Sequence, residues 1–245
     1  MKLKVDFFRM GIMSSFHGLG EFLQTVEAQL EEAKHLELGR LRAEYQTVEV
    51  NNHEDEMSLV GEMHAELQIV ERQFEETFTF TLRYSFVVSL FGLVETQLRA
   101  VCDKISEQKY LNLHLGDLSG RNLLDRTNKF LEKVAGLRGI PAEKCEVIID
   151  LQKVRDCIVH SNGRVALSRD KQHIRHLCTR RTGLSLVEAD LGLHAYAGIG
   201  GSGAEELLII ERSFCYEQLK AIQTIFADLF EQAGCFGPDH VDVTP

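Results

Sequence analysis

The stretch SFVVSLFGLVETQLRAVCDKI, residues 85–105, decides the fold. Phe86, Leu90, Phe91, Val94, Leu98, Val101 and Ile105 recur along it at steps of three and four, the period of a helix. Its apolar side is broad, so this helix packs against more than one neighbour. Just upstream, FTFTLRYSF (78–86) admits two periods. Phe78, Phe80, Leu82, Tyr84 and Phe86 alternate by two, whereas Phe74, Phe78, Leu82 and Phe86 step by four. The second reading lets one long helix run through, and it is preferred.

Further upstream, Leu19, Phe22, Leu23, Val26, Leu30 and Ala33 mark one helix, and Val60, Met63, Leu67, Val70 and Phe74 mark a second with a narrow seam. The two join near NNHEDE (51–56). Downstream, a loop around HLGDLSG (114–120) leads to a helix over about 121–135 that ends at Gly136. Pro141 suits the first turn of the next helix. There Val147, Leu151, Val154 and Ile158 face the core, and Asn162-Gly163 is a natural stop. Residues 164–210 break into short apolar pieces, RVAL, LSLVEA and ELLII, which predict a small β-hairpin or irregular insert. A last helix spans about 211–232, carrying Cys215, Leu219, Ile222, Phe226 and Leu229. The expected class is all-α: a helical bundle over 75–235 with the insert at 164–210, preceded by an N-terminal helical extension over 1–74.

Composition narrows the function. With 245 residues and 44% hydrophobic content the chain can build a sizeable core. The beginning of the sequence does not resemble a secretory signal, and no apolar run approaches the ~20 residues of a spanning helix. Six cysteines without a C-x-x-C pair fit reduced thiols. A cytoplasmic protein without membrane association is expected. The formal charge of −10 argues against coating nucleic acid by bulk electrostatics. Locally, however, residues 164–181 hold Arg164, Arg169, Lys171, Arg175, Arg180 and Arg181 against Asp170, a formal +5. This segment reads equally as a solvated loop and as a phosphate-facing patch in which Arg175, Arg180 and Arg181 would bind RNA.

The chemistry-bearing motif is VRDCIVHSNG, residues 154–163. At ~100° per residue, Asp156 and His160 lie nearly opposite the core stripe and ~40° from each other. The carboxylate and the C-terminal helix dipole both favour a protonated His160. Arg155 lies ~140° round the helix from His160, so the two converge most simply across a two-fold dimer. Ile148, Ile149 and Val159, off the main stripe, would form its contact surface.

Arg155-Asp156-x-x-x-His160 resembles the R-x(4–6)-H motif of the HEPN (higher eukaryotes and prokaryotes nucleotide-binding) domains. The setting matches as well: SFVVSLFGLVETQLRAVCDKI, LSGRNLLDRTNKFLEKVAG and EVIIDLQKVRDCIVHSNG are similar to the family's successive helical regions, a likeness covering about residues 75–232. It implies a homodimer and, for many members, a metal-independent ribonuclease of toxin or defence type, with a possible antitoxin or other protein partner. Arg155, His160 and Asp156 then take the catalytic positions, although Asn is the commoner family residue where Asp156 stands. Metal-free RNA cleavage uses the 2′-hydroxyl as nucleophile, and the protein supplies proton transfer and a cation for the phosphate. Single-stranded or looped RNA would be the substrate. The alternative is a non-catalytic dimeric module that binds a nucleotide or protein partner, with the N-terminal helices as docking surface.

Other motifs carry less. Gly198-x-Gly200-x-x-Gly203 matches a dinucleotide fingerprint in form only, since a strand-like ELLII follows it. His173, His176 and Cys178 sit in a basic setting without a fourth ligand at recognisable spacing, so no metal or cofactor is expected. Glu95 and Arg99, four apart, read as a helix-surface pair that could line the cleft.

Overall fold

The computed structural model describes residues 6–49, 53–189 and 205–234. The element order is α1 (Phe7–Gln46), α2 (His53–Arg72), α3 (Thr79–Lys109), α4 (Leu123–Lys129), α5 (Ala142–Ser161), α6 (Lys171–Arg180), β1 (Leu184–Ala189), β2 (Glu205–Ile210) and α7 (Arg212–Ala233). The class is all-α, with a two-stranded antiparallel sheet among the described residues.

Between α2 and α3 the chain stays helical through a π-helical turn, Gln73–Phe78, in which the Thr79 hydroxyl donates to the Phe74 carbonyl at 2.9 Å. The four-residue period through Phe74–Phe86 therefore prevails over the two-residue one. α3 runs through the middle of the molecule, with α1, α5 and α7 packed around it. Every apolar residue expected on its broad side, from Phe86 to Ile105, is buried. By length and composition alone, the continuous helix His53–Lys109 contains an 18-residue window apolar enough to cross a membrane, with 33% of that window buried inside the fold. The expectation that no apolar run approaches this length is corrected accordingly.

The N-terminal helix joins the same core. Ile12, Phe16 and Leu23 of α1 are buried with α3 and α7, and the Phe16 ring lies 4.9 Å from that of Phe226. Gly20 allows this approach, because a Cβ there would come within 2.7 Å of Leu219. Glu27, also on α1, receives Arg83 of α3 at 3.0 Å and Arg212 of α7 at 2.9 Å, tying three helices together. The boundary expected near residue 74 thus falls inside a continuous helix, and the core has members on both sides of it. Two details of the N-terminal seams differ from expectation. Phe22 and Ala33 are exposed, and Val60 is exposed while Leu59 is half-buried; the other residues expected in the two seams are buried or half-buried.

The helix expected over 121–135 is α4, which begins at the Asn122 cap, accepting from the Asp125 N–H at 2.8 Å, and continues as a π turn to Val134. In the insert, β1 and β2 form the expected hairpin, with Leu184 paired to Ile210 and Leu186 to Leu208. Two pieces differ. RVAL is a 3₁₀ turn, and residues 171–180 are a helix. α6 was hidden because its apolar signal is only Ile174 and Leu177, one turn apart among charged residues; both are fully buried. Residues 197–203, with the glycine fingerprint, lie outside the described residues.

Candidate functional site

The motif occupies the last two turns of α5. The helix stops because Asn162 (φ 49°) and Gly163 (φ 77°) turn left-handed and return their N–H groups to Ile158 O at 2.8 Å and Cys157 O at 3.1 Å. Glycine is required at 163, since a Cβ would collide with the Tyr84 hydroxyl. That hydroxyl donates to Leu208 O at 2.6 Å, and Leu208 N–H donates to Gly163 O at 2.9 Å. The end of the motif is therefore fastened to α3 and to the hairpin at once. Burial pushes the Tyr84 phenol well above its usual range, so it stays a donor.

Arg155 lies across α3. Its guanidinium carbon is 4.3 Å from the centre of the Phe91 ring, Nη1 meets Asp156 Oδ1 at 2.6 Å, and Nη2 is 3.8 Å from Glu95 Oε2. The side chain is 22% exposed. His160 is exposed on the last turn. Asp156 pairs with Arg155; the expected Asp156–His160 pair does not form, and His160 is paired with no carboxylate among the described residues. The neighbouring guanidinium brings a fixed positive charge to 2.6 Å from Asp156 Oδ1, and it wins the carboxylate. Arg155 and His160 are not brought together within one chain.

The contact surface expected on α5 divides. Ile148 is buried in the core and Ile149 is half-buried against it, whereas Val159 is 52% exposed. Ile148 belongs to the core because α4 covers that side of α5; Leu123, Leu124 and Ile148 line a small cavity of about 30 Å³ together with Phe91, Glu95 and Gln152. Glu95 does reach the candidate site, as a partner of Arg155.

Arg175, Arg180 and Arg181, the arginines expected on RNA, all meet carboxylates. Arg175 forms a forked pair with Glu206, at 2.6 and 2.9 Å to Oε2. Arg181 and Arg180 reach Asp150 Oδ2 at 2.8 and 3.3 Å, and His173 lies 3.1 Å from its other oxygen. Asp150 is only 2% exposed, so α6 is clamped to α5 through a buried carboxylate. Arg169 and Lys171 remain exposed. Sequence reasoning passed over Asp150, yet a signal was present. Asp150, Val154, Cys157 and Ser161 are spaced by four, three and four, which places an acid on a buried stripe, and a buried acid requires cations.

No protein family, characterised protein or solved structure matches this chain.

Proposed function

We propose that this chain is a HEPN-like protein that dimerises along α5 and cleaves single-stranded or looped RNA without metal, as a toxin or defence effector. The observation that carries the reading is the division of labour on α5. Arg155 is a half-buried, positioned cation, and His160 is an exposed titratable group about a turn further on. A second copy of α5, docked through Val159, supplies the missing half of each pair. In the cleft, one His160 takes the proton from the 2′-hydroxyl as its oxygen bonds to phosphorus. The other His160 gives a proton to the departing 5′-oxygen. Arg155 exchanges Asp156 and Glu95 for the phosphate oxygens, whose bidentate geometry it matches. Of the arginines expected on RNA, the exposed Arg175 exchanges its half-buried Glu206 most readily, whereas Arg180 and Arg181 already neutralise a buried charge.

A second reading, a dimeric module that binds a nucleotide or protein without cleaving it, is favoured by the two carboxylates at Arg155, which lower its attraction for phosphate. The deciding experiment incubates the purified chain with total RNA, with and without chelator. The nuclease reading expects products ending in 2′,3′-cyclic phosphate, unaffected by chelator and abolished in His160→Ala and Arg155→Ala. Intact RNA with a stable dimer establishes the second reading instead.

A further inference from the structure

The chain's negative charge is concentrated in one place. Residues 31–76 carry thirteen Asp and Glu against four Lys and Arg, a formal −9 out of −10, leaving −1 for everything else. The fold displays this charge on a two-helix arm, the distal half of α1 lying antiparallel to α2. The arm is held by a single seam. α1 contributes the buried Leu38 and Leu41, while α2 contributes half-buried Leu59, Met63, Leu67 and Val70 and has no fully buried residue.

α2 nevertheless keeps apolar residues outside that seam. Met57 is 63% exposed and Val60 is 42% exposed. By helical spacing they fall on the same side as Leu67, continuing the stripe along one edge of the seam. Further along α2, between Met63 and Glu71, the two helices leave a groove of about 580 Å³, whose lining includes Arg42, Gln46, Met63, His64, Leu67 and Glu71. Two helices with an apolar edge between them leave the third position of a helical bundle open.

Charge decides what can occupy it. A second copy of the arm would bring a formal −18 together, so self-pairing is opposed. Nucleic acid and anionic lipid are repelled for the same reason. A helix with an apolar stripe and flanking Lys or Arg meets both requirements, its stripe entering the groove and its cations facing the acidic rims. We propose that the α1–α2 groove docks a basic amphipathic helix of another protein. The 20 residues of α2 span ~30 Å, room for a segment of similar length. This site is independent of Arg155 and His160.

The test uses the full chain and labelled 18-residue peptides read by fluorescence anisotropy. One peptide places Leu at i, i+3, i+4 and i+7 with Lys elsewhere, the second scrambles that composition, and the third replaces Lys with Glu. At physiological salt the first should bind at least ~10-fold more tightly than the scrambled one, and the Glu peptide should not bind. Met57→Gln with Val60→Gln should weaken binding by ~10-fold while leaving the circular dichroism unchanged, since both side chains are exposed. Glu71→Lys should weaken it by a different route, and His160→Ala should bind as the parent does. Equal binding of ordered and scrambled peptides, no binding of either, or no loss in the Met57/Val60 and Glu71 variants overturns the proposal. So does a parent dimer, seen by sedimentation, that the Met57/Val60 variant abolishes, because a second copy then fills the groove.

Discussion

The two halves of α1 are held by different means. The first buries Ile12, Phe16 and Leu23 among α3 and α7 and anchors Glu27 between two arginines. The second buries only Leu38 and Leu41, against an α2 that buries nothing fully. Nearly the whole net charge lies on the second half and its partner, and nearly all the fully buried side chains lie in the body. One helix thus joins a region stabilised by burial to a region with little burial and a concentrated negative charge. The difference teaches that length and regularity of helix do not measure stability, because most helical stability comes from the face that is packed.

The sharpest way to break this comparison is to remove a body contact from the helix that both regions share. Phe16→Ala empties a fully buried position beside Phe226 and should cost about 3–5 kcal/mol. Urea unfolding measures it. A cost below about 1 kcal/mol would mean that α1 is not part of the body. Next, Asp150→Ala leaves Arg180, Arg181 and His173 without their carboxylate. Because the arginines are partly exposed and can rehydrate, a loss of roughly 2–3 kcal/mol is expected, with early proteolytic cutting in α6.

The body should also fail first in alkali. Burial pushes the thiols of Cys102 and Cys215 up to about 12, from an ordinary 9.0, and the arm contains no cysteine. Their folded pKa values are raised, so the stability they contribute is complete below pH 9. Above it the unfolded thiols ionise while the folded ones do not. Stability should then decline up to about pH 12, at roughly 1.4 kcal/mol per pH unit for each thiol. Urea titrations between pH 8 and 10.5 show the slope. Replacing both residues with Ala should make it shallower, at the added cost of two small cavities, and what is left should come in part from Cys157 and Cys178, whose thiols burial also pushes up.

How much of this was legible in the sequence follows from where the physics is local. The core side of α3 and the stop at Asn162-Gly163 could be read because periodicity and left-handed backbone preference act within one segment. α6 could not, because two buried residues among many charges give too short a pattern, and its place is fixed by Asp150, some 20 to 30 residues away. At the candidate site, Arg155 and His160 were found as residue types at a spacing, and their exposure agrees with that reading of the helix face. Their partners were not found, because Asp156 could serve either neighbour on the helix surface, and only packing against Phe91 and Glu95 of α3 fixes the choice of Arg155. The concentration of charge on the arm was countable in advance, but it acquires meaning only once the arm is seen to project with one seam.

The smallest expected effect tests that charge directly. Glu62 and Glu66 stand four residues apart on α2, where like charges repel by ~0.2–0.5 kcal/mol, and no buried contact compensates because both are exposed. Glu62→Gln should therefore raise the thermal midpoint slightly at low ionic strength. At about 0.5 M salt the screening length is a few ångströms, shorter than the separation, and the advantage should vanish. In the body, where the remaining residues sum to −1, a similar Glu143→Gln at the start of α5 should act in the opposite sense, since an acid in a first helical turn is favoured by the dipole. Melting both variants at low and high salt compares the two regions with one chemical change. If Glu62→Gln destabilises the chain at low salt, the arm is not under electrostatic stress, and the argument that its charge keeps a second copy out of the groove loses its basis.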